Sequence, residues 1–202
     1  MVAQGLTLPL HLGSVPDMMN TVRRAFGGDE KPGDVYILND PYDGGTHLPD
    51  VFIVKPVFYE DRLTGYAVTL GHQTDMGGRV AGSNAVDSTE IYAEGLRIPI
   101  LKFYDAGEPN QTLIDVIRKN VRVPDKVMGD LRAQLSACHV AENRFLELVE
   151  EYGPETLQFY MEGLVDQAEQ TARAEIAEFP DGSYEFTDYI DDDSINPETI
   201  PM

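Results

Sequence analysis

The chain divides by the period of its apolar positions. In the first half they alternate with polar residues or form short runs between glycine-rich turns; in the second they recur every three or four residues. Leu6, Leu8, Leu10 and Leu12 alternate with other residues over 6–12, which reads as a strand. Ser14 is then a candidate N-cap, with Pro16 and Asp17 in the first turn of a short helix that runs to about Phe26 and stops at Gly27-Gly28. The apolar run 35–38 is expected to form a buried strand leading into a turn-rich loop over 39–50. Strands follow at 51–59 and 65–72, joined by a polar turn at 60–64. A loop at 73–79, a strand near 97–104 and a turn at 107–110 complete this half.

Residues 111–121 read as helix. Over 124–151, Val127, Leu131, Leu135, Cys138, Phe145 and Val149 mark a long amphipathic helix, ended by Gly153. Pro154 starts another, with Leu157, Met161, Leu164, Ala168 and Ala172 on one face. A turn at 180–182 and a strand at 184–190 follow. The expected fold is α+β: one domain segment over 1–202, with an antiparallel strand-and-loop half (1–110) carrying a glycine-rich metal loop, then a helical half plus a terminal strand (111–202).

The strand pattern has a consequence for chemistry. If 51–59 and 65–72 pair antiparallel with Asp50 opposite His72, then Phe52 faces Leu70, Val54 faces Val68 and Pro56 faces Tyr66. One register thus produces a continuous apolar stripe and sets Asp50 beside His72 at the open end, with side-chain carbons about 5 Å apart. His47 is one loop turn away. Imidazole and carboxylate are ligands shared by zinc, manganese and ferrous iron, so His47, Asp50 and His72 form a candidate metal site. Asp75 follows His72 at the spacing by which Asp50 follows His47, and is expected as a fourth ligand or as a base. The competing reading is that the aspartates cap turns and the histidines bond carbonyls.

Other candidates are less specific. Asp40 and Asp43 flank the first loop as further ligands, supporting partners or turn formers, and Gly44-Gly45 and Gly77-Gly78 suit positive-φ turns. Glu90 and Glu94 are spaced i, i+4; Glu94 is the second candidate for proton transfer, although a surface helical turn explains the spacing equally well. Cys138 and His139 are neighbours on a helix, so their side chains diverge and Cys138 belongs to the core. His11, in the expected first strand, has no partner that the sequence names. No GxxxxGK[ST] phosphate loop occurs, so this chain does not bind ATP by that route.

Composition narrows the classes. A formal net charge of -20 argues against nucleic acid or an anionic membrane as partner. A single cysteine among 202 residues excludes an internal disulfide framework. No stretch approaches the roughly 20 apolar residues of a membrane span, and the first residues lack a leader pattern, so the expected location is cytoplasmic. Both ends read as cut in mid-phrase, which suggests a fragment.

Several phrases resemble the hydantoinase B / oxoprolinase family. They are Leu8-Pro9-Leu10-His11-Leu12-Gly13-Ser14-Val15-Pro16, the run from Asn39 to Asp50 with Gly44-Gly45-Thr46-His47-Leu48-Pro49-Asp50, Gly71-His72-Gln73-Thr74-Asp75-Met76-Gly77-Gly78, and Glu94-Gly95-Leu96-Arg97-Ile98-Pro99. Ile100 stands where that family usually has a second proline; Asp130 to Gln134 and Asp181 to Phe186 match later phrases. The resemblance implies a metal-binding subunit that acts with a hydantoinase A-type subunit, which binds ATP and phosphorylates the substrate oxygen. It implies a hetero-oligomer acting on a hydantoin, 5-oxoproline or lactam, or alternatively an acetone- or acetophenone-type carboxylase acting on a ketone. In the carboxylase relatives the metal is held at positions corresponding to His47, Asp50 and His72. Zinc or manganese is the expected ion, with iron third. A non-catalytic assembly fragment is the other reading.

Overall fold

The computed structural model describes residues 3–5 and 8–188. In chain order it contains helix α1 (Pro9–Phe26), strands β1 (Val35–Leu38), β2 (Asp50–Tyr59), β3 (Arg62–His72), β4 (Leu101–Asp105) and β5 (Glu108–Pro109), and helices α2 (Gln111–Asn120), α3 (Pro124–Tyr152) and α4 (Pro154–Ala177). Short 3-10 turns, Pro41–Asp43 and Ile91–Ala93, lie in the long loops. The strands make one antiparallel sheet in the order β3-β2-β1-β4-β5, an α+β arrangement. The chain separates into two compact units, Thr7–Glu147 and a second comprising the remainder, with the boundary inside α3. In the second unit, α4 buries none of its residues, and Leu164 on its expected apolar face is 51% exposed.

The β2–β3 hairpin adopts the register that the apolar stripe requires: Asp50 pairs with His72, Phe52 with Leu70, Val54 with Val68 and Pro56 with Tyr66. The turn is tighter than the expected 60–64, because Glu60 and Asp61 both take positive φ (47° and 61°) and let β3 begin at Arg62. The surplus residue is absorbed by a register shift after Val57, where the Thr64 hydroxyl donates to the Val57 carbonyl at 3.0 Å. Period-two alternation sorts β1 and β2 onto two cores. Tyr36, Leu38, Phe52 and Val54 meet Met18 and Val22 of α1 on one face. Val35, Ile37, Val51 and Ile53 meet Ile117 of α2 and Val127, Leu131 and Cys138 of α3 on the other. Burying each such side chain contributes roughly 1.5–3 kcal/mol before chain entropy is subtracted.

Two expectations are corrected. Of the strand expected over 6–12, residues 6–7 lie outside the described residues, Leu8 is an extended N-cap and 9–12 are helical: α1 starts at Pro9, whose missing N–H is harmless in a first turn. Ser14 is therefore inside the helix rather than its cap, and its hydroxyl donates to the His11 carbonyl at 2.9 Å. Pro16 removes one helical hydrogen bond, and burial of Met18 and Val22 against the sheet offsets that loss. Leu8 and Leu10 are left 61% and 70% exposed, so local alternation yields to the docking of the helix farther along. At the other end, residues 184–188 form no strand, and 189–190 of the expected strand lie outside the described residues.

Candidate metal centre

The loop between β1 and β2 is shaped by buried polar groups. Asn39, fully buried, donates to the carbonyls of Leu48 (2.7 Å) and Leu96 (2.9 Å) and accepts from the Ile98 N–H (2.6 Å). It closes the loop on itself and staples residues 96–98 alongside. Asp40 caps the following 3-10 turn by accepting from the Tyr42 N–H at 3.0 Å, and its other oxygen lies 3.3 Å from Arg97 Nε. Gly44 has φ +96°, and a Cβ there would stand 2.3 Å from the Met18 backbone nitrogen. The loop therefore lies directly on α1, and only glycine fits. A polar cleft of about 430 Å³ between α1 and this loop, bordered by Asp17, Arg24, Tyr42 and Asp43, is lined by none of His47, Asp50, His72 and Asp75.

Beyond that contact the chain enters β2 at Asp50, whose carboxylate gathers four side chains from three segments: the loop before it, α1 and β3. The Thr46 hydroxyl donates to Oδ2 at 2.5 Å; His47 Nδ1 lies 2.7 Å and His11 Nε2 3.1 Å from the same oxygen; His72 Nδ1 lies 3.1 Å from Oδ1. One ligand atom from each of His47, Asp50 and His72 falls within 4.8 Å of the other two. The carboxylate is 1% exposed whereas His47 and His72 are 39% and 50% exposed, so an anion forms the floor and the imidazoles face solvent. Burial pushes the Asp50 carboxyl pKa up, but the Thr46 hydrogen bond, the charges of His47 and His11 and the His72 hydrogen bond outweigh it and hold the group below the ordinary carboxylate value. Two nitrogens and one anionic oxygen, with no thiolate, fit a divalent ion of the zinc, manganese or iron kind.

The structure brings together His47, Asp50 and His72, and sets the other expected residues elsewhere. Asp75 does not join them. Its oxygens accept from the backbone N–H groups of Gly77, Gly82 and Arg122 and from the Arg122 guanidinium (2.8 Å), so a turn and an arginine occupy the lone pairs that a ligand would offer. Burial raises its pKa, and the Arg122 contacts and the two glycine N–H bonds overcome that and lower it. Glu94 is half-buried at the end of the second 3-10 turn, in the wall of a separate concavity with Ser83 to Val86; Glu90 is exposed. Asp40 and Asp43 serve the loop's own turn. Cys138 is buried and His139 exposed, as helical divergence requires.

Four residues that matter here were not singled out as such from the sequence: His11, Asn39, Arg97 and Arg122. A helical reading of 9–26 exposes His11, because positions 11, 15, 18 and 22 then form one stripe. The other three show no local signal, since their partners are distant in sequence.

This sheet, flanked by helices and carrying a two-histidine, one-aspartate group at the open end of its β2–β3 edge hairpin, defines a hydantoinase B-type segment; the chain belongs to the hydantoinase B/oxoprolinase family, which it matches over residues 1–201. Among individual proteins, the caprolactamase subunit beta of Pseudomonas jessenii is 39% identical over 95% of the chain and 33% of its own length. The crystal structure of ATP-dependent caprolactamase from the same organism matches with a TM-score of 0.85 at 40% identity, covering 90% of this chain and 31% of that one. The acetophenone carboxylase delta subunit of Aromatoleum aromaticum is 26% identical over 90% of the chain and 27% of its own length. The chain spans about a third of the length of the curated relatives it matches first.

Proposed function

We propose that this chain is the metal-binding segment of the catalytic subunit of an ATP-dependent cyclic amide hydrolase, acting in a hetero-oligomer with an ATP-binding hydantoinase A-type subunit. The observation that carries the reading is the convergence of His47 and His72 on the buried carboxylate of Asp50. Zinc or manganese is the ion we assign, with iron third; bound there, it would act as a Lewis acid on a carbonyl and lower the pKa of water. The chain's own groups do the rest. Asp50 holds negative charge at the floor of the site, Thr46 orients it, and the two exposed imidazoles border the space open to a small substrate. Glu94 is the carboxylate we assign to proton transfer, while Asp75 anchors the 75–82 turn to Arg122. ATP belongs to the partner, since this sequence has no phosphate loop.

A carboxylase acting on a ketone is the second reading, favoured by the acetophenone carboxylase relative. Elemental analysis of wild type, His47→Ala and His72→Ala tests the metal assignment. We expect one divalent ion per chain in wild type and loss of most of it in each variant; equal content in all three rejects the site. With the partner subunit present, ATP-dependent turnover of hydantoin, 5-oxoproline and caprolactam, against acetone and acetophenone with bicarbonate, separates hydrolase from carboxylase.

A further inference from the structure

We propose that His11 is a positioning residue of the metal centre, donating from Nε2 to Asp50 and tying α1 to the ligand group; this rests on the metal reading above. The argument begins with helical period. Residues 11, 15, 18 and 22 fall at i, i+4, i+7 and i+11, one face of α1. Val15 packs against the sheet, and Met18 and Val22 are fully buried there with Phe52 and Val54 of β2. Phe52 and Val54 alternate onto the same face of β2 as Asp50, the strand's first residue. The helix stripe and the strand stripe therefore run together and end in a polar pair, His11 and Asp50, 3.1 Å apart.

The contact differs from those of the other histidines. His11 is 17% exposed, against 39% for His47 and 50% for His72, and it does not join the group whose ligand atoms lie within 4.8 Å of one another. It meets Oδ2, the oxygen that also accepts from the Thr46 hydroxyl. Two donors outside the ligand group thus converge on one oxygen of Asp50, which fixes the carboxylate's rotation. Donation requires only that Nε2 of His11 carry a proton. Supporting hydrogen bonds of this kind orient a ligand and strengthen its hold on a metal, and their removal typically costs 10- to 100-fold in metal affinity. His11 lies 39 positions before Asp50 in the chain, so the helix orients a ligand that the hairpin supplies.

The test uses the full chain, with Zn²⁺ alone and Co²⁺ alone as probes. For His11→Ala we expect Zn²⁺ affinity about 10- to 100-fold weaker by chelator competition, with one ion still bound. The Co²⁺ absorption bands should keep the position and intensity of wild type, because the ligands are unchanged, whereas His47→Ala should alter them. His11→Gln, whose amide nitrogen can donate to Asp50, should recover most of the affinity. Wild-type affinity in His11→Ala overturns the proposal. So does a Co²⁺ spectrum changed as in His47→Ala, which makes His11 a direct ligand, or a His11→Gln no better than His11→Ala. If wild type binds neither ion, the metal reading fails, and the pairing is decided by metal-free thermal unfolding. His11→Ala should then lower Tm in wild type but not in an Asp50→Ala background; equal shifts in both overturn it.

Discussion

Replacing Asn39 by alanine removes a staple whose cost can be worked from its contacts. The side chain is fully buried and makes three hydrogen bonds, two to carbonyls and one from an N–H, at 2.6–2.9 Å. Alanine leaves the Leu48 carbonyl, the Leu96 carbonyl and the Ile98 N–H without that partner. Stranding a buried polar group costs about 1–3 kcal/mol. Two of the bonds are buried and one partly so, which puts the total at about 3–6 kcal/mol. A domain is stable by only about 5–15 kcal/mol, so the variant should sit near the edge of folding. Urea titration measures the loss. Hydrogen exchange locates it, with amides of 39–50 and 96–98 expected to lose protection first. Exposed Asn84→Ala is the control, expected within about 0.5 kcal/mol of wild type. Asn39→Asp should also destabilise, since an oxygen would then face two carbonyls. A loss below about 1 kcal/mol for Asn39→Ala would refute the reasoning.

Gly44→Ala should destabilise by more than the roughly 1 kcal/mol of a positive-φ penalty, because its Cβ would meet the Met18 nitrogen at 2.3 Å; a Tm equal to wild type contradicts the contact. The Asp75 carboxyl lies below its ordinary value of 3.8 in the folded protein, so its stabilisation is complete above that value and is lost as pH falls through the lowered one. Unfolding curves of wild type and Asp75→Asn should accordingly differ by a constant amount above about pH 5 and converge in stronger acid; a gap that widens as pH falls would show the opposite sign. The purified chain without a partner should not turn over ATP, and steady phosphate release that survives further purification would contradict this.

The sequence by itself carried the β2–β3 register, the helices α2 to α4 and the meeting of Asp50 with His72. Each depends on patterns that are local or one turn apart: alternation forbids a one-residue slip, and Pro124 and Pro154 stand where helices begin. What it could not determine were environments made by distant segments. His47-Leu48-Pro49-Asp50 and His72-Gln73-Thr74-Asp75 share one spacing, yet Asp50 opens a strand among three imidazoles while Asp75 is saturated by a turn and by Arg122, 47 residues further on. The leucine alternation before Ser14 is strand-like as a string, and only the docking of Met18 and Val22 on the sheet makes it a helix and turns His11 toward Asp50. Spacing along a chain places side chains relative to their own backbone. Which lone pairs remain free for an ion is decided by the donors that tertiary packing brings to them.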